Sequence, residues 1–157
     1  MITEGLGTNG RYIIEINKKD GSKEVREFPN MITNNFIGEL ARITTLTSGY
    51  DLGFRYMALG KDGGEILPLN GNNTRLGQEI FRKQFTTVER TATTVTRTVI
   101  INSDEANDHI KEIGIFAGSA ATATANSGIM VSRVLFDYDK DELESIRITR
   151  IDTFGRL

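Results

Sequence analysis

The sequence has no cysteine, no tryptophan, one histidine and only two prolines among its 157 residues. Lacking cysteine, it can hold no disulfide framework, thiolate zinc site or cysteine nucleophile. Lacking tryptophan, it has no indole to build a sugar-stacking platform. A single histidine leaves little material for a nucleophile–base–orienter constellation. Neither sign of charge dominates: 19 Lys and Arg stand against 21 Asp and Glu, so nothing marks the chain as a binder of nucleic acid phosphates. No apolar run approaches the roughly 20 residues that span a bilayer. Met1-Ile2-Thr3-Glu4-Gly5-Leu6-Gly7 also lacks the basic and apolar regions of a secretory signal. The expectation is synthesis in a cytoplasm, with no membrane insertion.

The sequence does carry the pattern of one domain spanning 1–157, long enough to bury a core. Arg11–Asn17 is β-rich, Asp20-Gly21 is a hairpin turn signal, and Lys23–Phe28 continues as a charged strand suited to a solvated edge. This hairpin fills residues 1–30, and a helix plus a β-sandwich fills 31–157. Thr33-Asn34-Asn35 offers N-caps for one helix over about 35–46, with Phe36, Ile37, Leu40, Ile43 and Leu46 on one face. Such a helix is expected to cover an open sheet face. Further strands are expected at Phe54–Leu59, Glu79–Thr91, Thr93–Asn102, His109–Phe116, Gly128–Phe136 and Leu143–Phe154. The fold class is therefore mainly β, an antiparallel sandwich or barrel-like domain of about eight strands with one packed helix.

Two long polar segments interrupt this pattern. Lys61–Asn73 holds three glycines and three asparagines, and Gly118–Ser127 is rich in Ala, Thr and Ser. Both are expected as exposed loops reaching toward partners, with Lys61, Asp62, Asn70, Asn72, Asn73, Ser119 and Asn126 as the candidate contact residues.

Chemistry-bearing motifs are few. His109 begins a strand beside Asp108 with no nucleophile in a triad context. Asp137, Asp139 and Asp141 match the first ligand positions of a calcium loop, but the sixth position is Glu142 instead of glycine. Gly60-Lys61-Asp62-Gly63-Gly64 lacks the Gly-Lys-Ser/Thr ending of a phosphate loop. Carboxylates are plentiful, yet no spacing singles out a glycosidase pair. No catalytic residue, cofactor or metal ligand is assigned, and the chain reads as a non-enzyme. The anomalous residues are charges on apolar strand faces. Period-2 alternation places Glu112 with Ile110 and Phe116, Arg133 with Ile129, Val131 and Leu135, and Arg82 between Ile80 and Val88. Such charges need partners, so Glu112 is expected to pair with Arg133 or Arg82 in a structural bridge.

In order along the chain come Ile32-Thr33-Asn34-Asn35, Tyr56–Gly60, Thr74–Arg82, Ile110–Phe116 and Gly128–Phe136. This series resembles the N-terminal regions of the bacteriophage tail-collar fibre family, and also short stand-alone phage virion proteins that begin with a hairpin. The resemblance covers roughly Phe28 to Phe154. It implies a structural component of the tail (collar, baseplate or fibre attachment) that acts without catalysis. Its partners would be further copies of itself in a symmetric oligomer and other tail proteins, and its location the virion tail after synthesis in the bacterial host. There is no fibrous repeat, so an adaptor or small tail subunit is expected, and not a whole fibre. The alternative is a virion receptor- or carbohydrate-binding module using Tyr50, Phe54, Tyr56 and Tyr138.

Overall fold

The computed structural model describes residues 6–45 and 51–156. Within them the chain forms β1 (Leu6–Asn17), β2 (Lys23–Pro29), α1 (Asn34–Arg42), β3 (Phe54–Gly60), β4 (Glu79–Gln84), β5 (Thr87–Thr91), β6 (Thr94–Ile101), β7 (His109–Ala117), β8 (Ile129–Asp139) and β9 (Ser145–Arg156). Two antiparallel sheets result, in the orders β2-β1-β9-β6-β5 and β4-β3-β7-β8. They face each other as a sandwich, as the alternation in the sequence predicts.

Period-2 side chains build the core. Tyr12, Ile14 and Ile16 of β1, Ile146 and Ile148 of β9, and Val99 and Ile101 of β6 meet Met57, Leu59, Ile113, Ile115, Val134 and Phe136 of the second sheet. The Asp20-Gly21 hairpin forms as expected, with Gly21 at φ +82° and the Asp20 carboxylate accepting from the Ser22 N–H at 2.8 Å. Its long first strand pairs with β9 over its whole length, from Leu6↔Arg156 to Asn17↔Ser145.

Nine strands form among the described residues, against an expectation of about eight, because the predicted strand Glu79–Thr91 is two. β4 pairs with β3 and β5 pairs with β6. Phe85 packs against the inter-sheet core at the crossing, and the chain changes sheets there. The final strand starts two residues later than expected, which leaves Leu143 in the preceding turn.

The helix is shorter than its apolar spacing predicts. It ends at Arg42, where the Thr44 and Thr45 hydroxyls donate back to the carbonyls of Ala41 and Arg42, both at 2.7 Å. These side chains satisfy the orphan carbonyls of the last turn in place of further helix. Leu46 lies outside the described residues. The helix also does not cover a sheet face. It packs beside edge strand β8, and only Phe36 is fully buried, edge-on to Phe54 in the inter-sheet core. Thr33 is the N-cap: its Oγ1 accepts from Phe36 N–H at 3.2 Å and donates to Met130 O at 2.5 Å.

Two register shifts in the β7–β8 pair correct the expected strand faces. Lys111 is opposed by both Phe136 and Asp137, and Val131 is an extra residue between the pairs Ile115↔Ser132 and Phe116↔Met130. Bulges of this kind reverse the phase of alternation. Ile110 consequently packs in the inter-sheet core, away from Glu112, and Val131 does so away from Arg133.

Candidate functional site: two arginine-pinned loops

The outer face of the β4-β3-β7-β8 sheet is not bare. Glu112, Gly114 and Phe116 of β7, Ala58 and Gly60 of β3, and Met130 and Arg133 of β8 lie beneath the 61–78 and 118–128 segments. Leu76 rests directly on Gly114, where a Cβ would lie 2.9 Å from Leu76 Cδ2. Coverage on both faces is why β7 reads as nearly continuous apolar sequence. An antiparallel strand with one wet face would alternate.

Arg133 and Glu112 form the predicted bridge, with Arg133 Nε 2.8 Å from Glu112 Oε2 and both side chains at 0% exposure. The cluster is larger than the pair. Arg133 Nη2 reaches Asp62 Oδ2 at 3.0 Å, and its Nη1 donates to Leu67 O at 2.6 Å and Asn73 Oδ1 at 3.0 Å. One cation thus faces two buried carboxylates, and backbone donors supply the remaining compensation. Asp62 accepts from the N–H groups of Gly64, Ile66 and Leu67 at 2.8–3.0 Å. Glu112 accepts from Gly77 at 3.0 Å and Gln78 at 2.9 Å. Burial alone would raise the Asp62 carboxyl, but those backbone donors and then the Arg133 guanidinium outweigh it and hold the pKa at about 2. Space is tight enough to demand glycine twice: a Cβ on Gly60 would collide with the Glu112 carboxylate, and one on Gly77 with that of Asp62.

Arg82 is not the partner of Glu112. It binds Glu79 through Nε and through Nη2, the latter at 3.0 Å, with both side chains nearly buried. Its Cζ lies over the Phe116 ring, 4.5 Å from the centroid, and its Nη1 donates to Thr122 O at 2.8 Å and Ser127 Oγ at 3.0 Å. Glu79 also accepts from Asn126 N–H at 2.7 Å. Arg82 therefore pins the 118–128 loop as Arg133 pins the 61–78 loop. Asn126 Oδ1 joins the two by accepting from Leu76 N–H at 3.3 Å.

The expected contact residues divide accordingly. Asp62 and Asn73 point inward and are buried, so they anchor the first loop and do not present it. Lys61 pairs with Asp108 at 2.9 Å. Asn70, Asn72, Ser119 and Asn126 are exposed. Ala121, in the loop expected to be exposed, is buried against Phe116 and Met130. Of the aromatics considered for stacking, Tyr50 lies outside the described residues. Phe54 is capped by Arg97 at 4.1 Å, Tyr56 lies under Arg82, and Tyr138 stacks on Phe136 beneath Arg26. His109 pairs with Asp137 at the surface, while Asp141 turns to the Leu143 N–H. Among the described residues no group of three or more His, Asp or Glu is placed to hold a metal ion.

A third buried arginine lies between the sheets. Arg150 binds Asp152 at 2.6 and 2.9 Å and Ser132 Oγ at 3.2 Å, with its guanidinium 4.8 Å from the Tyr12 ring. Tyr12 OH lies 2.7 Å from Ser132 Oγ across the sandwich. The signal for it is present in the sequence: Arg150 and Asp152 continue the Ile146, Ile148 face of β9, the same anomaly that singles out Glu112.

Comparison of the chain with protein-family models, with curated proteins and with solved structures gives no match.

Proposed function

We propose that the protein is a structural component of a bacteriophage tail, acting in the collar, baseplate or fibre attachment by symmetric self-assembly and docking to other tail proteins. One observation supports this reading above the others. Four of the five segments that carry the resemblance, Tyr56–Gly60, Thr74–Arg82, Ile110–Phe116 and Gly128–Phe136, are drawn together by the Arg133 and Arg82 clusters. Four weak motifs thus become one three-dimensional unit, a sheet face with two loops locked onto it. Charges spent on immobilising loops suit a rigid docking layer, because little ordering entropy remains to be lost on binding.

Immunogold electron microscopy of particles released by the host that encodes the chain tests the reading. Gold at one fixed position on the tail is expected. Particles free of the protein, with all of it remaining in the cell extract, would overturn the proposal.

A further inference from the structure

The five-stranded sheet ends on β2, which pairs with β1 and, among the described residues, with no other strand. Along Lys23-Glu24-Val25-Arg26-Glu27 the charges run plus, minus, neutral, plus, minus, so reversing the strand inverts every sign about Val25. Exposure alternates in step. Lys23, Val25 and Glu27 lie on the exposed face, and Glu24 and Arg26 on the half-buried one. Val25 is 57% exposed, an apolar side chain centred among charges.

Each of these charges already has a partner within the chain. Lys23 lies 3.3 Å from Glu15, Glu27 2.6 Å from Arg11, and Glu24 2.8 Å from Lys18 and 2.6 Å from Arg26. Arg26 also donates through Nη1 to Asp137 O at 2.8 Å. Surface pairs of this kind contribute little to stability. The order of signs along the edge matters more, because it governs how a second charged strand can lie alongside.

We infer that two copies of the chain associate edge to edge through β2, antiparallel about a twofold axis at Val25. The inference rests on the self-assembly reading above and supplies it with a contact. Such an axis stands normal to the sheet and keeps each face on its own side, so it must pass through a residue. Placed at Lys23, Glu24, Arg26 or Glu27, it would set that charge against its own copy, and charged edges ordinarily resist pairing in this way. At Val25 every opposition is favourable: Lys23 faces Glu27, Glu24 faces Arg26, and the two valines meet. Because Glu24 and Arg26 are also paired within each copy, the half-buried face gains a closed ring of alternating charges. Pro29 falls opposite the Gly21 turn, beyond the ladder, so its missing N–H interrupts nothing. The outward main-chain groups of the edge find partners, and the two five-stranded sheets become one. The opposite edge of the sheet cannot do this. Adjacent Glu89 and Arg90 of β5 fall on opposite faces, so no twofold sets one against the other.

Sedimentation velocity over a wide range of protein concentration tests the contact, at low ionic strength where surface charges are least screened. The variants are Lys23→Glu and Glu27→Lys. Both side chains are about half exposed, at 53% and 54%, so both variants are expected to fold. The native chain should show a monomer–dimer equilibrium. Each reversal should weaken it roughly tenfold or more, because the twofold repeats the like-charge opposition. Two further samples carry the decision. An equimolar mixture of the two variants should recover the dimer as a heterodimer, since the reversed side chains then oppose each other and the native pair meets as before. The double variant should recover the homodimer for the same reason. A native chain that stays monomeric, dimers that neither reversal weakens, or failure of recovery in either sample would each overturn the contact. Immunogold labelling of the tail reads the broader proposal separately.

Discussion

Arg133 is a residue whose removal would be felt through the groups it leaves behind. Its guanidinium lies against Glu112 and Asp62, both buried, and no other cation is within salt-bridge range of either among the described residues. Breaking a buried ion cluster by deleting one partner typically costs about 3–5 kcal/mol. Arg133→Met should lose that much in urea unfolding, and Arg133→Lys nearly as much. A lysine ammonium cannot reach Glu112, Asp62, Leu67 O and Asn73 together, because those contacts use the planar fork of the guanidinium. The same site gives a pH dependence with a definite sign. Asp62 is held at about 2, below its ordinary 3.8. Between those values the unfolded chain binds the proton and the folded chain does not, so stability rises with pH across that window. The contribution is fully present above pH 4 and is lost as pH falls toward 2. Asp62→Asn should flatten the unfolding-versus-pH curve over this interval and lower the plateau above it, measured by thermal melts from pH 2 to 7. A third expectation concerns space alone. Gly77→Ala places a methyl against the Asp62 carboxylate, and overpacking of this kind costs about 1–3 kcal/mol. Equal Tm values for the variant and the native chain would refute it.

At the scale of the element, the helix entry is tied to the sheet by one hydroxyl. Thr33 caps α1 and simultaneously donates to Met130 O on β8. Thr33→Ala should cost about 1–2 kcal/mol, at the upper end for an N-cap, because a buried carbonyl also loses its donor. Urea unfolding against Asn35→Ala, which lies on the exposed side of the same helix, isolates the effect. The elements also show where the sequence was legible. Strand existence, the Asp20-Gly21 turn, a helix cap within Thr33-Asn34-Asn35 and the pairing of Glu112 with one of two arginines all follow from local patterns: period two, φ above zero at glycine, side chains that cap, and charges that cannot be buried alone; the structure selects Thr33 and Arg133. The strand faces around Ile110 and Val131 do not follow, because each bulge inserts one residue that no periodicity announces. The sheet change at Phe85 is hidden for a similar reason, since Glu79–Thr91 keeps its β-propensity through the crossing. Asp62 and Asn73 look like loop residues because they are in a loop. Only the tertiary position of Arg133, 60 or more residues later, turns them inward.

Across the whole molecule, three buried arginines divide the work by layer. Arg133 and Arg82 fasten the loop layer to the outside of one sheet, and Arg150 links the two sheets through Ser132 and Tyr12. The sandwich is therefore most constrained at its centre. β9 is paired on both sides, with β1 and with β6, and β7 lies between β3 and β8 beneath the loop layer. The edges are different. Among the described residues β5 pairs only with β6, all five of its residues are exposed, and the charges of Glu89 and Arg90 keep it from acting as a sticky template. Local opening draws on the elements with the fewest buried contacts. Native-state hydrogen exchange read by mass spectrometry should accordingly be slowest in peptides from β9 and β7, and fastest among strands in β5. Phe is the informative replacement at Tyr12, because Tyr12→Phe removes the hydroxyl that meets Ser132 while keeping the ring under Arg150. If the inter-sheet link sustains the centre, that variant should speed exchange in both β1 and β8, which lie in different sheets, and leave β5 unchanged. Acceleration confined to β1 would mean that the hydroxyl contact does not couple the sheets, and the central constraint would then rest on apolar packing alone.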